Sequence, residues 1–361
     1  MIVNSVIQGL TQKMVQARLN QVDATPFYFG THFPVKKING FSWATIQNQI
    51  AKRNVAADIH SDNATVQRKH RPLFESVRGD IPRIAISREM DRAALKDYQT
   101  ELALAGGDAD ATKLVQYWGE DVDFCFNGVQ SELEYIAWAL ASNAGVLSFT
   151  TTNNSTFANE YDQDYDVDAD AKVKTKSVWS DATNADIIGD FASAVKLAKD
   201  KNLNPKYAFI NLNELYKIQS SEQIIRACAS YIANAVNMAQ TPDLQAINQM
   251  LSKQAWLNGL QLVVIDQTIT REFADGSQTS GNPFADSRVI LAETPVLGST
   301  QYDILRDQSS LILRAERAHT VVKKYGEIEP QKEITIGEAD AMPVFDTAYR
   351  NIYLRTDGKD W

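Results

Sequence analysis

The longest regular pattern in the chain runs from Glu120 to Ala141, where Val122, Phe126, Val129, Leu133, Ile136 and Leu140 recur at intervals of three and four residues. That spacing places one apolar stripe along an α-helix. The helix is expected to stop near Asn143-Ala-Gly145, because Gly145 can take the left-handed conformation that closes helix C-termini. Gly128 lies inside it and lowers helix propensity by about 1 kcal/mol relative to alanine, a cost that packing must offset. The stripe is short for a coiled coil, so core packing is its expected use.

Elsewhere the periods are shorter. Val3, Ile7, Leu10 and Met14 sit at helical spacing and predict a weak helix, followed by an extended lead-in through Asp23-Ala-Thr-Pro26. From Gly30 to Arg88 come strand-like pieces (Phe41 to Ile46, Ala64 to Arg68, Ile84 to Ile86) punctuated by turn signals, with too few apolar residues for a core. A protruding β-hairpin that finds its burial on another subunit is the economical reading. Strands are expected at Val146 to Thr151 and Lys172 to Trp179, then a helix from Asp186 to Lys201 capped by Asn184 or Thr183. A buried strand at Tyr207 to Ile210 and helices from Asn213, over Glu222 to Met238 and over Leu244 to Leu251 follow. Gln261 to Ile265 reads as a buried strand, Asp275-Gly276 as a hairpin turn and Arg288 to Leu291 as the returning strand. The alternation from Trp179 to Gln301 marks an α/β unit. Strands resume at Leu311 to Arg314, Thr320 to Val322, Ile334 to Ile336 and Asn351 to Arg355, so the segments flanking that unit are expected to form one discontinuous domain.

Composition narrows the class. The 361 residues are 44% hydrophobic with a net charge of −9, which fits a folded protein and excludes a largely disordered one. Cys125 and Cys228 offer no Cys-x-x-Cys spacing, so neither a zinc ribbon nor a disulfide framework is expected, and a reducing compartment is the default. No run approaches the roughly 18 apolar residues of a membrane span, and residues Met1 to Asn20 lack signal-peptide character. The charge is uneven. Lys36 to Arg92 holds eleven basic and six acidic residues, whereas Ala93 to Asp170 holds fifteen acids and only Lys96 and Lys113 as bases. Adjoining blocks of opposite sign can attract within one chain, or between copies when one block is an arm that reaches a neighbour, or both can be solvated faces.

Candidate chemistry is sparse. The chain has no dinucleotide or phosphate loop, no Gly-x-Ser-x-Gly and no His-Glu-x-x-His. Of the four histidines, His32, His60 and His70 fall in the arm and hairpin, where a rigid catalytic site is hard to hold. They and His319 are expected at the surface or an interface, and the two cysteines as buried small hydrophobes. Asp162, Asp164, Asp166, Asp168 and Asp170 alternate as cation ligands would, yet the Gly and Glu that an EF-hand requires are absent. A solvated acidic edge or a dock for basic groups is the stronger expectation. No cofactor and no resident metal are expected. The basic cluster Arg68-Lys-His-Arg71 lacks the aromatic company of a nucleic-acid reader. Arg68, Lys69, Arg71 and Arg78 are therefore expected at a subunit interface, with the acids of the helix (Glu120, Asp121, Asp123, Glu132 and Glu134) as counterpart, chiefly Glu132 and Glu134.

The order of these parts resembles the bacteriophage major capsid proteins of the HK97 fold, and within them the lambda-type family called major capsid protein E. The stretches that carry the likeness are Phe33-Pro-Val-Lys-Lys37 and Ile81-Pro-Arg-Ile-Ala-Ile-Ser-Arg-Glu-Met90. Tyr165-Asp-Val-Asp168 through Trp179-Ser-Asp181, Pro205-Lys-Tyr-Ala-Phe-Ile-Asn-Leu-Asn-Glu-Leu215, Ala341-Met-Pro-Val344 and Asn351-Ile-Tyr-Leu-Arg355 add to it.

The resemblance implies an α+β chain with an N-terminal arm (1–29) and an extended β-hairpin loop (30–88). It further implies a peripheral domain (89–178 and 302–361) carrying a spine helix (120–141), and an inserted α/β axial domain (179–301). It implies a structural, non-enzymatic protein that forms hexamers and pentamers and closes an icosahedral shell around double-stranded DNA. Scaffolding, portal and decoration proteins would be its partners, with assembly in the host cytoplasm, a place in the virion and no membrane contact. The presence of Met1 leads to the expectation that no N-terminal scaffolding segment has been removed. Although Lys52, Lys69 and many asparagines are present, no cross-link between subunits is expected. The rival readings are an encapsulin-type nanocompartment, which would package an enzyme, and a cytoplasmic α/β enzyme with a non-standard site.

Overall fold

In the computed structural model, which describes residues 2–24, 26–47, 75–104, 111–150, 152–154, 161–233, 241–273, 275–306, 309 and 311–361, the apolar stripe lies on a helix spanning Ala111–Ser142. All six stripe residues are 3% exposed or less. The helix begins well before Glu120 and closes as its sequence suggests, with Gly145 at φ +83° donating its N–H to the Leu140 carbonyl. Contacts divide the chain into two units: Met1–Trp43 with Asp80–Ile136 and Ser299–Val344, and Ala44–Gly79 with Ala137–Gly298 and Phe345–Trp361.

The first unit is built on a seven-stranded sheet whose axis is the long strand Gln331–Val344. One edge of that strand pairs with Thr320–Ile328, the other with Arg83–Met90, and its C-terminal end with Ser299–Asp303. Ile2–Val3 and Leu313–Arg317 extend the sheet beyond Thr320–Ile328, and Val35–Lys37 runs parallel to Ser299–Asp303. Alternation along Gln331–Val344 turns Glu333, Thr335, Gly337 and Ala339 inward. The helix lies close to this face, because Gly337 leaves room for the Cys125 carbonyl and Gly128 leaves room for the Ile86 side chain. That proximity is the packing that offsets the helix cost of Gly128. Val122, Phe126 and Trp118 share one apolar cluster with Val15 and Leu19 of helix Gln12–Gln21 and Leu95 and Tyr98 of helix Arg92–Leu104.

Two expectations change here. The first helix is not Val3 to Met14 but Gln12–Gln21, since Gly9 at φ +84° interrupts any helix through the earlier residues. Ile84 to Ile86 is not part of an unsupported hairpin; Arg83–Met90 pairs in full with the central strand. Ser42–Gln47 does pair with Glu75–Asp80, while the strand expected at Ala64 to Arg68 lies outside the described residues.

The second unit holds a mixed five-stranded sheet in the order Gln261–Ile265, Tyr207–Asn211, Arg288–Ala292, Ile352–Arg355 and Lys172–Lys174. The outer two pairings are parallel and the inner two antiparallel. Helices Ile187–Asp200, Leu212–Ser220, Glu222–Ala233 and Leu244–Lys253 accompany it. Their N-termini are set by short polar side chains: Asp186 accepts from the Gly189 N–H, Asn211 from Glu214 and Asp243 from Ala246. The cap of the first is thus Asp186 rather than Asn184 or Thr183. Trp138 packs its ring near those of Phe209 and Phe284 at 6.0 Å.

Pairing also redraws several strands of this unit. The Asp275-Gly276 turn joins Ile269–Glu272 to Gln278–Gly281, and Arg288–Ala292 returns beside Tyr207–Asn211, not beside Gln261–Ile265. Ile352–Arg355, expected in the peripheral domain, pairs with Arg288–Leu291, so the discontinuous first unit ends at Val344. The two strands flanking the acidic run are short, Val146–Leu147 and Lys172–Lys174. After Lys174 the chain leaves the sheet and buries Trp179, whose indole N–H donates to Asp190 Oδ2 at 2.9 Å. Among the described residues no helix is long and apolar enough to cross a membrane.

Candidate assembly surface

Of the four basic residues expected at an interface, Arg78 is exposed on strand Glu75–Asp80, and Arg68, Lys69 and Arg71 lie outside the described residues. Their expected counterpart on the long helix is largely committed within the chain. Asp123 binds the Arg18 guanidinium of helix Gln12–Gln21. Glu134 is fully buried, and its carboxylate accepts the Tyr28 N–H at 3.2 Å and the Phe29 N–H at 2.7 Å. It therefore holds the first turn of the short helix Phe29–His32 and cannot reach another subunit. Glu132 is half-buried, and only Glu120 of these acids is exposed. Charge along the sequence does not reveal this, because a carboxylate that serves backbone N–H groups is indistinguishable in sequence from one that faces water.

The acidic run is an edge in the literal sense. Gln163–Asp164 pairs with Val146–Leu147, and alternation buries Tyr165 and Val167 while Asp162, Asp164, Asp166, Asp168 and Asp170 are all exposed. Local hydrogen bonds occupy two of them: Asp162 accepts from Phe149 N–H at 2.7 Å and Asp164 from Asp166 N–H at 2.8 Å. Among the described residues no three His, Cys, Asp or Glu side chains are grouped to hold a metal ion. Tyr165 anchors the run, accepting the Phe345 N–H at 3.0 Å while its own carbonyl accepts from Tyr349.

His32 and His319 are less exposed than expected, while His60 and His70 lie outside the described residues. His319 is buried between Phe29 and Tyr302, within hydrogen-bonding distance of Gln130 at 3.1 Å, and burial pushes it down to about 4. His32 is buried as well. Both cysteines are buried, and burial pushes each thiol up to about 11, which leaves them un-ionised at neutral pH.

A polar cluster that the sequence did not announce lies behind the long helix in the first unit. Lys324, fully buried, donates to its cross-strand neighbour Thr335 Oγ1 at 2.7 Å, with Glu333 Oε1 at 3.9 Å and Asp121 Oδ2 at 4.0 Å. Arg88 Nε lies 3.6 Å from Asp121 Oδ1. Glu333 reaches to the N-terminal segment, accepting from Ser5 Oγ and Val6 N–H at 2.8 Å each. Burial lowers the affinity of Lys324 for its proton and raises that of Asp121 and Glu333, each opposed by the neighbouring opposite charge. The signal in the sequence was the alternation itself, which turns Lys324 to the same side as Val322.

Apolar side chains remain open to solvent in both units. Phe41 (46%), Val35 (44%) and Leu305 (63%) are exposed in the first, and Trp256 and Tyr216 are more than half exposed in the second. Strand Val35–Lys37 is exposed along its length and has one neighbouring strand among the described residues. An open strand edge with apolar side chains favours association.

No family model and no curated protein matches the chain. Solved structures do. A phage-related protein of Bordetella bronchiseptica RB50 superposes with a TM-score of 0.56 at 13% identity, over 98% of this chain and 99% of that one. A protein assigned as the capsid protein of a prophage of E. coli CFT073 gives a TM-score of 0.56 at 14% identity, over 96% and 99%. The fold is that of HK97-type capsid proteins, as the order of the sequence elements implied.

Proposed function

We propose that the chain is the major capsid protein of a tailed double-stranded DNA bacteriophage, a non-enzymatic shell subunit that assembles through hexamers and pentamers into an icosahedral capsid. The observation that carries this reading is the end-to-end likeness to the prophage capsid protein, 96% of this chain against 99% of that one. Domain-sized likeness alone is compatible with many functions. Here the likeness extends over nearly the whole chain and is not confined to one unit.

Physical features support it. Exposed Phe41, Val35 and the open edge of Val35–Lys37 supply apolar and backbone contacts that closed symmetry would cover. Arg78, with Arg68, Lys69 and Arg71, places positive charge on the extended loop, where it would meet acids of a neighbouring subunit. The exposed aspartates at 162–170 offer one such acidic surface. The net charge of −9 suits a wall past which DNA must move, because a basic lumen would bind it through counterion release. Scaffolding, portal and decoration proteins complete the proposed set of partners, with assembly in the host cytoplasm.

Electron microscopy and light scattering of the chain expressed alone, across a range of salt, test the proposal. Closed shells or five- and six-membered rings are expected. Shells that carry one co-purifying enzyme and no nucleic acid would replace the viral reading with a nanocompartment, and a monomer or dimer that never assembles, even with scaffold supplied, would overturn it.

A further inference from the structure

The cluster behind the long helix has the composition of an amide-forming site. One amine and two carboxyl groups, all buried, converge without ordinary ion-pair contact: Lys324 Nζ stands 4.0 Å from Asp121 Oδ2 and 3.9 Å from Glu333 Oε1. The two carboxyl groups differ. Both oxygens of Glu333 accept hydrogen bonds, from Ser5 Oγ and Val6 N–H, so that side chain is held in place. Asp121 Oδ2 is buried and accepts no hydrogen bond, leaving its carboxyl group free to turn toward the amine. A buried carboxylate oxygen without a donor is costly, and such a group demands an explanation.

We propose that Lys324 and Asp121 form an intramolecular isopeptide bond within the first unit, with Glu333 as the proton carrier and Arg88 as the group that stabilises the developing negative charge. In the reacting state Lys324 is a neutral amine and Asp121 a neutral acid. Low polarity favours both forms, and burial shifts both groups in that direction. Nζ attacks Cγ of Asp121 and the C–N bond forms. Negative charge gathers on Oδ1, beside which Arg88 Nε stands at 3.6 Å. Glu333 takes a proton from the nitrogen and returns it to the departing hydroxyl group. The C–O bond breaks and water leaves. The balance is one amine plus one carboxylic acid to one amide plus one water, with no oxidant or other reactant.

The geometry explains why Asp121 rather than Glu333 is the acceptor, since Glu333 would have to surrender two hydrogen bonds to react. Closing from 4.0 Å to bonding contact requires a side-chain torsion of Asp121, and no hydrogen bond to Oδ2 resists it. The product ties the long helix Ala111–Ser142 to the strand Thr320–Ile328 covalently. A link spanning so many residues restricts the unfolded chain strongly.

Mass spectrometry of the intact wild-type chain, folded at neutral pH and then denatured, tests the proposal without any substitution. The expected mass is that of the sequence less one water, and the expected tryptic map contains a branched peptide joining the Asp121 and Lys324 segments, uncut at Lys324. Asp121→Asn should lose ammonia in place of water, and Glu333→Gln should slow bond formation at least about a hundredfold. A folded wild-type chain that keeps its full sequence mass after prolonged incubation would overturn the proposal. So would a one-water deficit that persists in Lys324→Arg, which would mark a cyclised aspartate elsewhere.

Discussion

Gly337 and Cys125 meet backbone against backbone: a Cβ placed on Gly337 would stand 2.4 Å from the Cys125 carbonyl oxygen. The long helix can approach the sheet this closely only because residue 337 has no side chain. Helix and strand backbones are both held by their own hydrogen bonds, so neither yields locally. Gly337→Ala is expected to cost about 3 kcal/mol through overpacking, read as a lowered urea midpoint. Gly128→Ala should cost less, since its clash is with the flexible Ile86 side chain and alanine gains about 1 kcal/mol of helix propensity.

His319 predicts a pH dependence. Burial lowers its folded-state value to about 4 from 6.5, so the unfolded chain binds the proton more readily. The neutral ring therefore contributes its full stability above the unfolded value, and that contribution is lost as pH falls from about 6.5 to about 4. The loss amounts to about 3 kcal/mol over that window. Thermal unfolding of the wild type and His319→Gln at a series of pH values should show a shallower acid slope in the variant; parallel slopes would contradict the assignment.

Glu134 provides a test that separates an internal role from an interface. Glu134→Ala leaves the Tyr28 and Phe29 N–H groups without their acceptor and should destabilise the isolated chain by about 2 to 3 kcal/mol, whereas Glu134→Gln retains one acceptor oxygen and should cost less. Chemical denaturation of unassembled protein measures both. An interface residue would leave that stability unchanged.

Asp190 accepts from the Trp179 indole at 2.9 Å and from the Lys176 N–H at 3.2 Å, joining helix Ile187–Asp200 to the loop after Lys174. Asp190→Ala should lower stability by about 2 kcal/mol and change the fluorescence of Trp179, because a buried indole N–H is left without a partner. Asp190→Asn keeps an acceptor and should move both readouts less.

Local periodicity reveals the stripe from Val122 to Leu140 and the run from Ile187, which depend on neighbours three or four residues away, but it misplaces the first helix and does not reveal Arg92–Leu104 or the caps at Asn211 and Asp243. The order of the elements was also sufficient for the fold class. Which strands pair could not be read, because pairing joins residues far apart in sequence and a strand carries no mark of its partner. For that reason Arg288–Ala292, which in sequence reads as the return of Gln261–Ile265, pairs with Tyr207–Asn211, and Ile352–Arg355 joins it in the second unit. The same reason hid the site: Asp121, Lys324 and Glu333 come from one helix and two strands, and only the tertiary structure brings a buried amine and two buried acids within reach of one another.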